Sequence, residues 1–211
     1  MPRLPDPPLL VITDRAQARG DLVAVAAAAC AGGCRWISLR EKDLAPEAQL
    51  ALFARLREAI RPYGVRLTLH GPADLARAAG ADGVHLPDGG DARAARALLG
   101  PQALVGLSVH TVADAARVDG AEVDYITASP VFLTASKPGY GPALGLDGLA
   151  AFVAAAPVPV IALGGVEAAN ATLCRQAGAA GLAVMGTVMR AADPAAEVAA
   201  LAAAWKAFGR S

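Results

Sequence analysis

The sequence predicts an α/β fold, a single (β/α)8 TIM barrel with a parallel eight-stranded core, on three observations. Short apolar runs alternate with alanine-rich helical stretches, with a period of about 20 to 27 residues, as expected for repeated βα units. The apolar runs are continuous, which is typical of parallel strands covered on both faces. Eight such units fit into 211 residues, near the small end of the range for this fold.

Each predicted strand is an apolar run bounded by polar or glycine residues, and each predicted helix is an alanine-rich segment that follows. The strands are predicted at Leu9–Thr13, Trp36–Leu39, Arg66–Leu69, Gly83–Leu86, Leu104–Ser108, Tyr125–Ala128, Val158–Leu163 and Gly181–Met185. The helices are predicted at Leu22–Gly32, Pro46–Ile60, Ala92–Leu99, Val112–Val118, Leu146–Ala155, Ala168–Ala177 and Pro194–Phe208.

An open doubly wound sheet is the alternative architecture. That fold usually carries a glycine-rich nucleotide loop after its first strand, whereas Asp14-Arg15-Ala16 follow the first strand here. No linker or shift in composition divides the chain, so one domain over residues 1–211 is predicted. The longest irregular segment, Ser129–Gly145, follows the sixth strand, and a loop of that length in a compact barrel is usually functional.

The composition restricts the class of partner. The chain has 19 basic and 19 acidic side chains, so neither nucleic acid nor an anionic membrane, which both favour clustered cations, is expected as the main partner. No apolar run approaches the roughly 20 residues of a membrane-spanning helix, and Met1–Pro8 lacks the apolar core of a signal peptide. The cysteines, Cys30, Cys34 and Cys174, lack metal-type spacing and are expected to be reduced and buried in a cytoplasmic protein.

Glycine turns follow the last two strands of the predicted barrel, at the carboxyl-terminal rim where TIM-barrel active sites lie. Gly164-Gly165 follow the seventh strand and Gly186-Thr187 follow the eighth, where barrels often bind a phosphate. Glycines let backbone N–H groups approach an anion, and a helix amino terminus adds a favourable dipole. The alternative is that these glycines only permit tight turns.

Cationic residues follow the second strand at the same rim. Arg40 and Lys42 are separated by one residue, so in an extended segment their side chains would point to the same side. Lys137, from the long loop after the sixth strand, could join them, and three converging cations would suit a pyrophosphate. The alternative is solvated surface charge beside Glu41.

Hydroxyl and imidazole side chains follow the third to sixth strands. Ser108, Thr134 and Ser136 could donate hydrogen bonds to an anion or could only cap turns. His70 ends the third strand and could serve as an acid or a base, since an unperturbed imidazole titrates near neutral pH. His85 lies inside the fourth strand and is interpreted as a hydrogen-bonded structural residue.

Two carboxylates follow the fourth strand. Asp88 and Asp91 could hold a magnesium ion, which takes few protein carboxylates together with phosphate oxygens. They could equally be turn residues, with Asp91 as the amino-terminal cap of the next helix.

Eight segments together resemble a known superfamily, that of thiamine phosphate synthase and TenI. They are Leu10–Arg15, Ser38–Lys42, Gly80–Leu86, Ser108–Thr111, Ser129–Phe132, Thr134–Lys137, Ile161–Gly165 and Ala177–Gly181. Their order and spacing match the superfamily over nearly the whole chain, and the set is specific although each segment alone is not.

The resemblance implies a (β/α)8 barrel enzyme of thiamine biosynthesis, whose partners are small phosphorylated pyrimidine and thiazole substrates. Synthases of this kind join hydroxymethylpyrimidine pyrophosphate to thiazole phosphate and release pyrophosphate. The resemblance assigns the pyrophosphate to Arg40, Lys42, Ser108 and Lys137. It assigns the thiazole phosphate to Thr134, Ser136, Gly165, Gly186 and Thr187.

Two departures from the synthase pattern affect the metal. The resemblance implies magnesium and no organic cofactor, but synthases carry Asn-Asp after the third strand, where this chain has His70-Gly71. They carry Gly-Gln-Glu-Asp after the fourth strand, where this chain has Pro87–Gly90 with Asp91 one place late. Both departures argue against a magnesium site and resemble the TenI branch, whose thiazole tautomerases move a proton without metal.

The predicted functions are therefore, in order, a synthase, a TenI-type thiazole tautomerase and a non-catalytic phosphate-ligand binder. In the tautomerase, His70 would take over proton transfer. The oligomeric state is left open, with a homodimer as one option.

Overall fold

The computed structural model describes residues 4–134 and 142–207. Its eight strands form a closed barrel in which each strand pairs in parallel with the next, and the eighth pairs with the first. The predicted TIM barrel is confirmed. The strands are β1 (Leu9–Ile12), β2 (Trp36–Leu39), β3 (Arg66–His70), β4 (Gly83–Leu86), β5 (Leu104–Ser108), β6 (Tyr125–Ala128), β7 (Val160–Leu163) and β8 (Gly181–Val184).

The helices of the described residues follow the strands and cover the outside of the barrel. They are α1 (Leu22–Ala31), α2 (Pro46–Ile60), α3 (Ala73–Ala78), α4 (Ala92–Leu99), α5 (Val112–Ala116), α6 (Gly145–Ala155), α7 (Ala168–Gln176), α8 (Gly186–Met189) and α9 (Pro194–Ala207). The sequence did not predict α3 and α8, because six and four residues are too few to show a helical period. The predicted end of α9, Phe208, lies outside the described residues.

Prolines and caps account for several element boundaries. The seventh strand starts at Val160 rather than at the predicted Val158, since Pro159 has no N–H for the ladder, although its carbonyl accepts from Ile126 N at 3.0 Å. Helix α1 begins after Asp21, whose carboxylate accepts from Ala24 N at 3.1 Å. Such a cap stabilises a helix by roughly 1 kcal/mol.

Two separate apolar clusters hold the fold together. The larger cluster lies between the strands and the surrounding helices and contains the three cysteines, which are buried free thiols as predicted. The smaller cluster fills the inside of the barrel and consists of Leu10, Ile12, Trp36, Leu104, Tyr125, Ile161 and Ala183. Because side chains fill the lower part of the barrel, its free space lies above them, at the carboxyl ends of the strands.

Polar side chains lie directly above the inner cluster. Trp36 and Tyr125 meet edge to face, with ring centroids 4.7 Å apart. Thr68, His85 and Thr127 are buried residues of the barrel strands. The interior therefore changes from apolar to polar toward the rim. Among residues 4–134 and 142–207 no helix has the length and apolar character needed to cross a bilayer.

Candidate active site

A cavity of about 420 Å³ opens at the carboxyl-terminal rim of the barrel. Its volume lies in the range of small-molecule sites. Ten of the predicted site residues line it: Arg40, Lys42, His70, Asp88, Ser108, Thr134, Gly164, Gly165, Gly186 and Thr187. Ser136 and Lys137 lie outside the described residues. Asp91 is not among the described residues that line the cavity.

Arg40 and Lys42 form one part of the rim, here called the cationic wall. Glu41 between them is buried, at 3% exposure, and its side chain turns toward β1. There its carboxylate accepts from Thr13 Oγ1 at 2.8 Å, and Thr13 Oγ1 in turn accepts from Arg40 N at 2.9 Å. Because adjacent side chains of an extended segment point to opposite sides, a buried Glu41 directs Arg40 and Lys42 toward the cavity.

Arg15 completes the support of the cationic wall from the loop after β1. Its backbone N–H donates to Glu41 Oε1 at 3.1 Å, and its guanidinium donates to Glu41 Oε2 at 3.2 Å. The same guanidinium makes two bonds of 2.6 Å to the exposed carboxylate of Asp43. The hydrogen bond from Arg15 lowers the pKa of Asp43, and the hydrogen bonds to Asp43 and Glu41 raise the pKa of Arg15.

The loops after β7 and β8 form a second part of the rim, here called the glycine wall: Gly164, Gly165, Gly186 and Thr187. At Gly165 φ is +64°, and a Cβ atom there would lie 2.5 Å from the carbonyl oxygen of Leu133. The position therefore requires glycine for both its conformation and its packing. Phe132 N donates to Gly164 O at 3.0 Å, so the loop after β6 is fastened to this wall.

Side-chain hydrogen bonds hold the glycine wall in place. Thr187 Oγ1 donates to Val166 O at 3.1 Å, which joins the loop after β8 to the loop after β7. Asn170 Nδ2 donates to Gly165 O at 2.9 Å from the first turn of α7. The backbone of this wall is thus fixed before any ligand arrives, which favours binding because less ordering is needed.

Ser108 and His85 link the cavity to the barrel interior. His85 Nε2 lies 2.9 Å from Ser108 Oγ, and His85 Nδ1 lies 3.0 Å from the hydroxyl of Tyr125. As predicted, His85 is a buried, hydrogen-bonded residue. Burial, with smaller contributions from the charges of Lys42 and Arg40, lowers the pKa of His85 to about 3. Its imidazole is therefore neutral at physiological pH.

Asp91 is the amino-terminal cap of α4, which is the second of its two predicted roles. Its side chain accepts from Ala94 N at 2.8 Å at the start of α4. The cap occupies one of its carboxylate oxygens, and the residue does not line the cavity with Asp88.

Comparisons with known proteins identify the family of this barrel. The family model described as thiamine monophosphate synthase matches residues 9–188. The chain belongs to this family. It is 40% identical to the thiamine-phosphate synthase of Albidiferax ferrireducens over 188 residues, 88% of this chain and 86% of the relative. A relative from Geobacter sulfurreducens is 45% identical over 88% of each chain.

A solved structure from the same family supports the assignment. The thiamine phosphate pyrophosphorylase of Pyrococcus furiosus superposes with a TM-score of 0.83 at 28% identity, over 98% of this chain and 97% of that one. The superposition spans the barrel that carries both walls.

The family implies magnesium, and the donor groups of the cavity test whether it fits. Among the described residues, no three His, Cys, Asp or Glu side chains lie together as a metal site. Asp88 lines the cavity, but Glu167, which also lines it, accepts a backbone hydrogen bond in the capping box of α7. Protein-held magnesium favours clustered oxygen ligands. The described residues therefore do not fit a magnesium ion held by the protein alone, whereas they fit an anion.

Two residues of the site, Glu41 and Arg190, were not predicted from the sequence. The sequence predicts Glu41 only as a neighbour of surface charge. Its partners Thr13 and Arg15 follow a different strand, so no local pattern shows the contact. Arg190 also lines the cavity and donates to the side chain of Gln17. It follows Thr187 by three residues and caps the carboxyl end of the short helix α8, so its signal in the sequence is a cation about one helical turn after the glycine turn that follows β8.

Apolar side chains cover another part of the cavity surface. Ile12, Leu163, Ala183 and Met185 come from β1, β7, β8 and the residue after β8. Flat aromatic rings bury well against such a surface. The cavity thus combines charged, backbone and apolar walls, as expected of a site for phosphorylated aromatic ligands.

Proposed function

We propose that the protein is a thiamine-phosphate synthase, which joins hydroxymethylpyrimidine pyrophosphate to thiazole phosphate and releases pyrophosphate. The observation that carries the proposal is that a cationic wall and a glycine wall line the same cavity. Two anion-binding surfaces around one apolar space suit a reaction between two phosphorylated rings. The family and the name of the Albidiferax relative support it.

The cationic wall would assist departure of the pyrophosphate. The C–O bond between the pyrimidine methylene and the pyrophosphate breaks, and its electron pair leaves with the pyrophosphate. Arg40 and Lys42 would stabilise the negative charge, with the hydroxyl of Ser108 as a further donor. Lys137, which lies outside the described residues, is assigned the same role by the resemblance.

The glycine wall would hold the second substrate. The thiazole nitrogen forms the new C–N bond to the methylene carbon. Backbone N–H groups of Gly165, Gly186 and Thr187 would fix the thiazole phosphate, so that the nitrogen lies near the carbon it attacks, while the Thr187 hydroxyl holds the loop through Val166 O. Thr134 and Ser136 would assist, and the reaction needs little acid–base chemistry from the protein.

Turnover with both substrates tests the proposal. Purified protein is mixed with hydroxymethylpyrimidine pyrophosphate and thiazole phosphate, with and without magnesium, and thiamine phosphate is measured by chromatography. Formation of thiamine phosphate is expected. A rate that requires magnesium would assign Asp88 to the ion together with the substrate phosphates. Absence of product under both conditions would reject the synthase.

A thiazole tautomerase is the second candidate, because His70 lines the cavity. An imidazole beside a thiazole ring can take a proton from one ring atom and return it to another. The test measures isomerisation of the thiazole carboxylate phosphate with the wild type and with His70→Asn. Unchanged isomerisation in the variant would exclude His70 as the proton carrier.

A non-catalytic phosphate-ligand binder is the third candidate. It predicts binding of both phosphorylated ligands by calorimetry with no turnover in either assay. Detectable formation of thiamine phosphate or of the tautomer therefore rejects it.

We also infer that the protein functions in the cytoplasm. Burial raises the pKa of the Cys30 thiol to about 12 and that of Cys34 to about 11, so neither is reactive in the folded protein. Buried free thiols are typical of proteins from reducing compartments. Fractionation of the source cells, followed by detection of the protein with an antibody, tests the inference.

A further inference from the structure

Tyr125 reaches the active-site network from the strand beyond β5. In the register of the barrel, His85 pairs with Gly106 and Gly106 pairs with Tyr125. A Cβ atom at Gly106 would lie 2.1 Å from Cζ of Tyr125 and 2.4 Å from its hydroxyl oxygen. The Tyr125 side chain starts on β6, passes over β5 through the space that Gly106 leaves, and contacts His85 on β4.

Three side chains form a chain of hydrogen bonds from the barrel interior to the cavity. Tyr125 is fully buried and is not among the described residues that line the cavity, whereas Ser108 lines it. His85 stands between them, 3.0 Å from the hydroxyl of Tyr125 and 2.9 Å from Ser108 Oγ. Because His85 is neutral, one of its ring nitrogens donates and the other accepts.

The buried phenol determines the direction of this chain. Within the described part of the chain, His85 Nδ1 is the hydrogen-bond partner found for the Tyr125 hydroxyl. If Nδ1 carried the proton, the phenol would have to accept, and its own hydrogen would be buried with no acceptor. If Nδ1 accepts instead, each polar hydrogen of Tyr125, His85 and Ser108 either has an acceptor or faces the cavity.

We propose that Tyr125 is a positioning residue, which fixes His85 as the Nε2–H tautomer and so leaves the hydroxyl hydrogen of Ser108 free to donate to an anion in the cavity. Tyr125 donates to His85 Nδ1, His85 Nε2–H donates to Ser108 Oγ, and Ser108 donates to the ligand. With the opposite tautomer Ser108 would donate to His85 and would present lone pairs to the anion. The proposal rests on the proposed function, in which that anion is pyrophosphate.

Nitrogen-15 NMR of the unmodified protein tests the tautomer directly. The chain has three histidines, His70, His85 and His110, and spectra of His70→Asn and His110→Asn variants assign the signals. The expected result at neutral pH is a His85 ring with protonated Nε2 and unprotonated Nδ1. A protonated Nδ1 would overturn the proposal, whatever reaction the protein catalyses.

A double-mutant cycle on pyrophosphate binding tests the consequence. Calorimetry measures the Kd of inorganic pyrophosphate for the wild type, Ser108→Ala, Tyr125→Phe and the double variant. Ser108→Ala should weaken binding about tenfold, the size expected for a hydrogen bond to a charged group. Tyr125→Phe should weaken it about threefold, because the tautomer is no longer fixed and Ser108 donates to His85 part of the time.

Once Ser108 has been replaced, the Tyr125→Phe substitution should weaken pyrophosphate binding no further. In the Ser108→Ala background, Tyr125→Phe is expected to change Kd by less than about twofold, since its effect passes through Ser108. Equal losses in both backgrounds, or no loss in either, would overturn the proposal. Tyr63→Phe, at a half-buried tyrosine outside the cavity lining, is the matched control and should bind like the wild type.

Two outcomes separate this inference from the proposed function. If Tyr125→Phe does not fold, the tautomer of the unmodified protein decides the proposal alone. If no thiamine phosphate is formed but His85 carries its proton on Nε2, the synthase is rejected and the positioning of Ser108 by Tyr125 stands.

Discussion

The cationic wall and the glycine wall both suit an anion, but the protein builds them in different ways. Arg40 and Lys42 present charged side chains, and the buried carboxylate of Glu41 between them sets their direction. The glycine wall presents backbone, and close contact with the loop after β6 sets its shape. One wall depends on electrostatics and the other on the space that a missing side chain leaves.

Because of this difference, substitutions in the two walls should affect activity and stability differently. A cation can be removed with little change to the backbone, so its loss should reduce binding and rate while the fold remains. A glycine that is held against another backbone segment cannot accept a side chain without moving that segment, so its loss should reduce stability as well. Variants can therefore distinguish the two designs by measuring stability and activity together.

Gly165→Ala should give the largest effect on stability. The alanine must adopt φ of +64°, and its Cβ would lie 2.5 Å from Leu133 O and 2.7 Å from Cβ of Phe132. We expect a loss of about 3 kcal/mol in the free energy of unfolding, from strain and from displacement of the loop after β6. Urea denaturation measures it.

Gly64→Ala is the matched control, because Gly64 has φ of +61° and no atom within 4 Å of the added Cβ. It carries the conformational cost alone, about 1 kcal/mol. Equal losses at Gly64 and Gly165 would show that close packing against the loop after β6 does not shape the glycine wall.

Lys42→Ala should lower kcat/KM for thiamine phosphate formation about 100-fold, since a charge that meets the departing pyrophosphate contributes that much. The exposed side chain makes little contribution to the fold, so the Tm should change by less than about 2 °C. Arg55→Ala, which removes an exposed cation of α2 that pairs with Asp21, is the control and should leave the rate unchanged. A loss of stability that matches the loss of rate would contradict the comparison.

Much of this molecule follows from local sequence pattern. Continuous apolar runs predicted the eight parallel strands. A strand that is buried on both faces is apolar along its whole length, so each strand can be recognised without knowing its neighbours. The rim could be predicted for a related reason, since barrel topology brings every strand end to one side. Position at a strand end was enough to predict Arg40, Ser108 and Gly165 at one rim, and all three line the cavity.

The contacts that support the rim could not be predicted in this way. Glu41 binds Thr13 and Arg15, which are separated from it by 28 and 26 positions along the chain. Periodicity within one helix or strand cannot predict a contact between residues so far apart in sequence. The link between Tyr125 and His85 depends on the absence of a side chain at Gly106. A glycine in a strand signals close approach in general, but the sequence does not name the group that approaches.

Glu41→Gln tests whether the buried carboxylate positions the cationic wall. The amide keeps an oxygen at the Oε1 position for Thr13 but places its NH2 group at the Oε2 position, where the guanidinium of Arg15 donates, so donor faces donor. We expect KM for the pyrimidine substrate to rise about fivefold and the Tm to fall by about 5 °C. Steady-state kinetics and thermal melts measure both.

Asp43→Asn provides the comparison for Glu41→Gln, because both carboxylates bind Arg15. The side chain of Asp43 is 68% exposed and that of Glu41 is 2% exposed. Exposed ion pairs contribute little, so Asp43→Asn should leave KM within about twofold of the wild type. Similar effects at the two positions would mean that the charge of Arg15, rather than the burial of Glu41, organises this wall.

Asp91→Ala should give the smallest effect and should affect stability alone. The carboxylate caps α4 through Ala94 N and does not line the cavity with Asp88, so its loss should cost about 1 kcal/mol of folding free energy. The rate of thiamine phosphate formation and its response to magnesium should match the wild type, whereas Asp88→Asn should alter any response to magnesium that exists. A changed magnesium response in Asp91→Ala would instead identify this carboxylate as a ligand of the ion. The rim would then carry a cation-binding group beside its two anion-binding walls.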